Sequence, residues 1–373
     1  MTHVGHLFDG SAGWEQRVGV SQLIDGLPRD RYVNSLIAID PAAGTSLRWL
    51  KQPVDLLPRF YGIASLAAPV VARFVAQQRI DVIHAWGIGA AVPARALPRI
   101  PLVVQLFDPS TAVREVKRVR ALARPSTFAV ACGSEIVRRR LIEGGLDPEL
   151  AVVIRPGVDF SLINRCRRGS LREELGLTWD ESVAIVPEPV TRAGGQFDAA
   201  YAVAIHHHLS GGTRVIVPGT SREQRRISRF TDTLPLSSAL VMPGDRHPFE
   251  ELLAVSDVLL VTPRGDISTT SIAWAMAAGV AVIGTAVHSI AEMIASNVNG
   301  LLFKQVPAQS MIASIIGLLQ DRASQEKTRE TARGQAYEVF GLRRYVEQTA
   351  RLYENVLSRA APGEGITDSA IDI

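Results

Sequence analysis

Short apolar runs alternate with helix-period segments along the first 160 residues of the chain. Residues 3–8, 32–39 and 101–107 have the composition of buried strands, and segments with apolar positions three or four residues apart separate them. The same alternation resumes at residue 182 and continues to residue 284. This repetition predicts an α/β protein with two doubly wound parallel sheets, whose ligands bind beyond the carboxyl ends of the strands.

The length and the polar segments predict how the chain is divided. A chain of 373 residues is long enough for two domains, each with its own core. A polar, arginine-containing stretch at 160–180 predicts the connection, so the first domain is placed at 1–160 and the second at 161–340. An amphipathic helix is predicted at 341–359, and the tail at 360–373, which lacks aromatic residues, is predicted to be disordered.

The stretch at 258–303 contains the strongest candidate binding site. An apolar run at 258–262 stops at Pro263 and Gly265, a helix-period segment follows at 268–278, and a second apolar run occupies 280–284. The predicted helix begins with four hydroxyl residues, Ser268, Thr269, Thr270 and Ser271. Free backbone N–H groups and the helix dipole both favour a phosphate or pyrophosphate there, although hydroxyl residues are also ordinary helix caps.

Composition and charge narrow the classes of function. Hydrophobic residues make up 47% of the chain and charged residues 21%, as in soluble globular proteins. No long uncharged apolar run and no signal-peptide pattern occur, and the two cysteines, Cys132 and Cys166, lack metal-type spacing. A cytoplasmic protein is therefore expected. The absence of G-x-G-x-x-G and P-loop patterns argues against a dehydrogenase or a nucleoside triphosphatase.

Two polar clusters have alternative interpretations. The consecutive histidines 206–208 point in different directions from a helix, so a solvated helix end is preferred to a metal site. The basic positions between Arg114 and Arg124 form a solvated helix face or a surface for anionic lipid or an acidic acceptor, which keeps peripheral contact with the inner face of the membrane open. Aromatic residues do not interleave the basic clusters, so no nucleic-acid partner is expected.

The stretch at 258–303 resembles the donor-sugar-binding segment of the family 4 (group 1) glycosyltransferases of the GT-B fold. That family has an acidic residue, seven further residues, and then Glu before Ala-Met-Ala, Gly-Val-Pro-Val, a later Glu and Asn-Gly-Leu-Leu. Here the corresponding positions are Asp266, Trp274 before Ala-Met-Ala, Gly-Val-Ala-Val at 279–282, Glu292 and Asn-Gly-Leu-Leu at 299–302. Trp274 replaces the Glu that holds the nucleotide ribose in the family, and an indole cannot accept a hydrogen bond through its side chain in the same way.

Other segments are similar to the same family. They include Asp-Val-Ile-His at 81–84, Ile-Arg-Pro-Gly-Val-Asp at 154–159, the strand end Val-Ile-Val-Pro-Gly that finishes at Gly219, and the closing helix from residue 340 to residue 353. In the GT-B fold this helix crosses back to the first domain. The resemblance therefore implies two Rossmann-like domains that face a cleft, the acceptor on the first and the donor on the second.

The resemblance also implies a function. Retaining enzymes of this family transfer a sugar from a nucleoside diphosphate to a hydroxyl without a metal, so neither a cofactor nor a metal is expected, and the acceptor would be a glycan, a lipid-linked compound or a small molecule. Asp266 is the candidate catalytic residue, which contacts the transferred sugar. The candidate donor-binding residues are Arg192, Gly219, Ser268, Thr269, Thr270, Ser271 and Glu292. Arg192 stands alone where the family has a basic pair, and His288 and Ser289 replace two glycines of the loop that carries Glu292.

The acceptor side is assigned in the same way. Gly10, Gly13 and Arg17 lie in and after the first predicted loop, where glycines permit close approach of the backbone. Asp108 follows Phe107. Phe107 replaces a His that the family often has, and a phenyl ring cannot take part in proton transfer.

The departures at Trp274 and Phe107 and the missing second cation keep an alternative open, a catalytically inactive partner subunit on the same scaffold. A nucleotide-sugar epimerase, which shares the fold, is the weaker alternative.

Overall fold

The computed structural model describes residues 1–9, 12–39, 50–57, 64–97, 99–166, 168–232, 237–304 and 308–360. Within these ranges the chain forms two β-sheets whose strands all pair in parallel. Each sheet is covered by an apolar cluster on either face. The prediction of two doubly wound parallel sheets is confirmed.

The first domain contains a seven-stranded sheet in the order β3-β2-β1-β4-β5-β6-β7. Its strands are β1 (Thr2–Phe8), β2 (Tyr32–Ala38), β3 (Val54–Leu56), β4 (Val82–Ala85), β5 (Leu102–Leu106), β6 (Phe128–Cys132) and β7 (Ala151–Val153). Its helices are α1 (Trp14–Gly26), α2 (Ala68–Gln78), α3 (Ile88–Ala91), α4 (Pro109–Leu122) and α5 (Glu135–Glu143).

The second domain contains a six-stranded sheet in the order β10-β9-β8-β11-β12-β13. Its strands are β8 (Ser182–Ile185), β9 (Thr213–Pro218), β10 (Leu240–Gly244), β11 (Val258–Val261), β12 (Ala281–Thr285) and β13 (Leu301–Phe303). Its first helices are α6 (Phe160–Arg165), α7 (Arg168–Glu174), α8 (Gln196–Ser210), α9 (Arg222–Asp232) and α10 (Phe249–Ala254). The later helices are α11 (Thr270–Ala278), α12 (His288–Ala291), α13 (Ala308–Gln320) and α14 (Arg322–Phe340), and α15 (Leu342–Ala360) follows them in the chain.

The strand order reverses between β1 and β4 in the first sheet and between β8 and β11 in the second. In doubly wound sheets such reversals open a crevice beyond the carboxyl ends of the strands. The loops that leave β1 and β11 lead to the starts of α1 and α11, so the topology places both helix N-termini at these crevices.

After its first two residues, Thr270 and Ser271, helix α11 is apolar on every side, and the whole helix is buried. It lies between the second sheet and the buried face of α14, where Thr328, Ala332 and Ala336 recur at helical spacing. The helix starts at Thr270, two residues later than the pattern predicts, because Thr269 adopts the non-helical N-cap position. It ends at Gly279, whose φ of 70° favours a residue without a Cβ.

Helix α15 belongs physically to the first domain. Tyr345, Tyr353 and Val356 are buried in the same apolar cluster as residues of β1 and β4. The Tyr345 hydroxyl donates to the Gly19 carbonyl of α1 at 3.3 Å. The last helix thus packs across the domain boundary.

Two further predictions concern the C-terminal tail and membrane-spanning helices. Apart from Ala360, the tail predicted to be disordered lies outside the described residues, as does Gly10. Among the helices of the described ranges, none combines the length and apolar composition that crossing a membrane requires.

Candidate active site

The first turn of α1 crosses from the first domain to the second. The Trp14 ring lies 4.6 Å from the Phe249 ring and 5.9 Å from the Trp274 ring, measured between centroids. All three side chains are almost completely buried. The start of α1 therefore fills the gap between the domains with an aromatic cluster.

A buried ion pair lies beside this cluster. The Arg17 Nη2 atom is 2.6 Å from Glu250 Oε2, and each side chain is less than a tenth exposed, at 6% and 7%. The same carboxylate oxygen accepts a hydrogen bond of 2.8 Å from the Trp14 indole. Arg17 does face the gap, as its position in the sequence suggests, but its guanidinium binds a carboxylate of the second domain.

Trp274 lies where the resemblance described above implies a Glu. Its side chain is completely buried, and among the described residues its indole N–H has no hydrogen-bond partner. Contact with Trp14 replaces the polar contact that a Glu would make. The substitution is therefore part of an apolar interdomain contact.

The hydroxyl residues at the start of α11 are mostly buried. Thr269, Thr270 and Ser271 are buried, and the Ser268 hydroxyl accepts a hydrogen bond of 3.3 Å from the Thr270 amide. The Ser268 hydroxyl lies near the carboxyl group of Glu15, from the first turn of α1, and lowers its pKa. The predicted phosphate position lies at the domain boundary, with a carboxyl group against it.

Glu15 is a residue that the sequence patterns did not single out. Burial raises the pKa of its carboxyl to about 8; the nearby Ser268 hydroxyl opposes this shift and the charge of Asp108 adds to it. The sequence signal for Glu15 was its position in the first turn after the predicted glycine loop. Its raised pKa could not be predicted from that position, because it depends on burial in the folded protein.

Asp266 lies at the same boundary, nearer to α5. One carboxylate oxygen accepts a hydrogen bond of 2.8 Å from the Ser289 amide, and the other lies 3.5 Å from Arg140 of the first domain. The Ser289 hydroxyl accepts from the Ile267 amide at 3.1 Å. Ser289, at the position of a family glycine, therefore fixes the loop that carries Asp266.

Glu292 holds the domains together. Its carboxylate accepts hydrogen bonds from the amides of Glu135 and Ile136 at 3.0 and 3.2 Å, at the start of α5. It also pairs with Arg155 of the interdomain segment at 2.7 Å. A contact between Glu292 and a donor would require these bonds to break, so its donor-binding role stays a prediction.

The ends of β8, β9 and β10 bring two more carboxyl groups into the region. Burial raises the pKa of Glu188 to about 7; nearby Asp245 and Glu250 raise it further and Arg17 opposes them. Gly219, at the end of β9, has a φ of 76°, and a Cβ there would lie 3.6 Å from Glu188. Arg192, the predicted cation, is exposed in the loop after β8. The donor side is richer in carboxyl groups than the sequence patterns indicated.

The acceptor-side residues have structural contacts of their own. Asp108 caps α4 by accepting from the amides of Ser110 and Thr111 at 3.0 and 3.2 Å. Phe107 is buried with its ring 6.3 Å from Trp86, so it is part of the core of the first domain. The amide of Gly13 donates to the Gln16 side chain at 3.0 Å, which fixes the start of α1.

The histidine cluster does not form a fully solvated helix end. His206 is buried, which makes that prediction wrong for this residue, and His207 bonds the Thr213 carbonyl at 2.9 Å. Within the part of the chain that the structure describes, no group of three or more His, Cys, Asp or Glu residues is placed to hold a metal ion.

Comparison with known proteins follows the same division into two domains. The glycosyltransferase family 4 model matches residues 18–162, and the group 1 glycosyl transferase model matches residues 198–321. N-acetyl-α-D-glucosaminyl L-malate synthase of Bacillus anthracis is 28% identical over 144 residues, which cover 39% of this chain and 38% of that enzyme. The chain therefore matches well under half the length of this curated relative.

Solved structures extend the likeness to nearly the whole chain. HepE of Anabaena, in complex with UDP and glucose, has a TM-score of 0.78 at 21% identity, with 95% of this chain and 99% of that chain covered. Sucrose-phosphate synthase of Thermosynechococcus elongatus has a TM-score of 0.75 at 16% identity, with 96% and 100% covered. The two facing sheets, the returning last helix and the two family matches agree, and the chain belongs to the family 4, group 1 glycosyltransferases of the GT-B fold.

Proposed function

We propose that the protein transfers a sugar from a nucleoside diphosphate sugar to a hydroxyl group of a glycan, a lipid-linked compound or a small molecule, with retention of anomeric configuration and without a metal. The observation that carries the proposal is the position of the α11 start. Its amide end, with Ser268, lies at the domain boundary against the first turn of α1, and Asp266 lies at the same boundary.

The chemistry that this site must support is a substitution at the anomeric carbon of the donor. The bond from that carbon to the diphosphate breaks and leaves its electron pair on the phosphate oxygen. The acceptor oxygen bonds to the same face of the carbon and passes its proton to that phosphate oxygen. Charge therefore gathers on the diphosphate, and the backbone amides at the start of α11, together with Arg192, are suited to stabilise it. Asp266 is suited to hold the hydroxyls of the transferred sugar.

Donor entry requires the domains to separate. Trp14 packs against Trp274 of α11, and the pairs Arg140–Asp266 and Arg155–Glu292 also join the domains. The described arrangement therefore corresponds to a closed protein. Opening the gap exposes the proposed diphosphate position, and closing it again excludes water from the reacting groups.

The first donors to test are UDP sugars, because HepE was solved with UDP and with UDP-glucose. We expect UDP and at least one UDP sugar to raise the melting temperature and to give a saturable heat of binding. NMR of the product should show a retained anomeric configuration, and a chelator should leave the rate unchanged. If no nucleoside diphosphate and none of its common sugars binds, the proposal is wrong.

Asp266→Asn separates binding from transfer. The amide keeps the size of the side chain and an oxygen for the Ser289 amide, so the loop should stay in place. We expect UDP affinity within about threefold of wild type and transfer lower by about 100-fold, a loss typical of removing one group that acts on the transition state. Equal loss of UDP affinity and transfer would contradict a sugar-specific role.

A second candidate function is a binding or partner subunit without transferase activity. The buried contact between Trp274 and Trp14 favours it, because an apolar pair occupies the position of a ribose ligand. Nucleotide binding without turnover, for every acceptor class tested, would support this candidate. Donor turnover in the absence of an acceptor would instead indicate an epimerase.

The place of action is also part of the proposal. A nucleotide-sugar donor fits a cytoplasmic protein that contributes to polysaccharide synthesis. Arg114, Lys117 and Arg118 lie on the exposed side of α4, where they could contact anionic lipid at the inner face of the membrane. Sedimentation with vesicles that contain anionic lipid, at low and high salt, tests this contact.

A further inference from the structure

Among the described residues, the donors that hold the Glu292 carboxylate all come from the first domain. Two are backbone amides at the start of α5, those of Glu135 and Ile136, at 3.0 and 3.2 Å. The third is the Arg155 guanidinium, at 2.7 Å. Glu292 itself follows α12 of the second domain. The contact therefore consists of an anion-binding site on one domain and a carboxylate that the other domain supplies.

Two neighbouring strands of the first sheet fix this site. Helix α5 follows β6, Arg155 follows β7, and these two strands pair in parallel. The Ile154 amide, next to Arg155, donates to the Cys132 carbonyl at 2.8 Å. The Ser134 hydroxyl caps α5 by accepting from the Val137 amide at 3.4 Å. None of these bonds involves the second domain, so the donors stay in place when the domains separate.

The site has the chemistry of an oxyanion receptor. Helix α5 is nine residues long, and the free amides and the helix dipole at its start favour a negative charge. Arg155 adds a full positive charge, and a guanidinium pairs with a carboxylate or a phosphate in a planar, two-pronged geometry. Its side chain is 27% exposed in the closed arrangement, so solvent reaches the site. The position of the Glu292 carboxylate shows that an oxyanion fits these donors.

We propose that the site binds an oxyanion, a carboxylate or a phosphate, carried by the acceptor, in exchange for the Glu292 carboxylate. This inference rests on the proposed function and narrows its acceptors to anionic compounds. The exchange also frees Glu292 from the bonds that hold it in the closed arrangement. The predicted contact of Glu292 with the donor then becomes available once the acceptor is bound.

The test is titration calorimetry without a donor, using glucose 6-phosphate, gluconate and glucose as probes. They share a polyhydroxyl chain and carry a phosphate, a carboxylate or no charge. We expect at least one of the two anions to bind wild type at least about tenfold more tightly than glucose. Glu292→Gln removes the competing charge and should tighten binding of that anion by about tenfold. The matched control is Glu354→Gln, which removes a carboxylate from the exposed pair with Arg31 and should change the affinity by less than about twofold.

Two variants remove donors from the site. Arg155→Met should weaken binding of the anion by at least about tenfold. Glu135→Pro deletes one amide, and proline is tolerated there because Glu135 is the first residue of α5 and Ser134 before it is extended, with φ of −154° and ψ of 164°. Glu135→Gln makes the same change of charge and keeps the amide, so Glu135→Pro should bind about fivefold more weakly than Glu135→Gln. Far-UV circular dichroism and the melting temperature identify variants that fail to fold.

The outcomes separate this site from the function on which it rests. The inference is overturned if neither anion binds wild type or Glu292→Gln more tightly than glucose does. It is also overturned if Glu292→Gln leaves the affinity unchanged, or if folded Arg155→Met and Glu135→Pro bind like their references. UDP is titrated into the same samples: UDP binding without these anion effects leaves the donor site standing. The anion effects without binding of UDP or a UDP sugar count against the proposed transferase and not against the anion site.

Discussion

Removing Arg17 from its buried ion pair should destabilise the protein by several kilocalories per mole. The Arg17–Glu250 contact is 2.6 Å long and both side chains are almost inaccessible to solvent. Arg17→Met fills similar space but removes one of the two described side chains that donate to the Glu250 carboxylate. The Trp14 indole is the one that remains. Loss of one partner of a buried pair costs about 3–5 kcal/mol, because the other charge remains buried without compensation.

The chain contains a matched control for this variant. Arg31 and Glu354 form an ion pair of the same length, 2.6 Å, but their side chains are 58% and 49% exposed. Arg31→Met should therefore lower the free energy of unfolding by no more than about 1 kcal/mol. Glu250→Gln keeps an acceptor for Trp14. In the double variant Arg17→Met/Glu250→Gln neither charge of the pair remains. Its loss of unfolding free energy should therefore be at least about 2 kcal/mol smaller than the sum of the losses in the two single variants.

The assay is urea unfolding followed by circular dichroism and by tryptophan fluorescence. Trp14 lies in the cluster beside the ion pair, so its fluorescence should report separation of the domains before the strands unfold. The reasoning is refuted if Arg17→Met costs no more than Arg31→Met. It is also refuted if the unfolding free energy that the double variant loses equals the sum of the losses in the single variants, because Arg17 and Glu250 would then not be coupled.

Three further outcomes are expected. Trp274→Glu should lower the free energy of unfolding by several kilocalories per mole, since it buries a carboxylate in an apolar cluster. In a transfer assay, a gain of donor turnover despite this loss would indicate that the wild-type site is degenerate. A loss of turnover would show that Trp274 functions in an altered donor site. Burial lowers the pKa of His6 from 6.5 to about 4 and lowers that of His84 well below 6.5, so the folded state binds fewer protons than the unfolded state. Stability should therefore be complete above pH 6.5 and fall towards pH 4, by about 3 kcal/mol for His6 alone, and His6→Gln should flatten the slope in urea titrations at several pH values. Glu292→Gln should weaken its bonds to the start of α5 and to Arg155, and small-angle scattering should then show a larger radius of gyration; an unchanged radius would contradict its role in holding the domains together.

The strands and the start of α11 were predictable because they depend on local pattern. Parallel strands buried on both faces are short and apolar, so β5 and β11 stand out in the sequence. Strand β3, a three-residue strand at the sheet edge with an exposed side, has no such pattern. Helix α14 is mostly polar, and only its contact with α11 shows which side is buried.

The chemistry of the site was less predictable, because it depends on which groups the two domains bring together. The sequence indicates that Asp266 follows a strand, but the opposing Arg140 comes from another domain. Local sequence does not reveal the raised pKa of Glu15 or of Glu188, since burial between elements far apart in the chain raises each pKa. Trp274 was recognised as a departure from the family, but its partner Trp14 could be identified only from the packing of the domains.

The docking of α15 has a consequence for biosynthesis. The strands of the first sheet leave the ribosome before those of the second, but the aromatic side chains of Tyr345 and Tyr353, which complete one face of the first sheet, are translated after β13. Until α15 emerges, the nascent chain must carry an uncovered apolar surface beside β1 and β4. The first domain is thus begun before the second but completed after it, and a gene fragment that stops before α15 would encode a sheet without its cover.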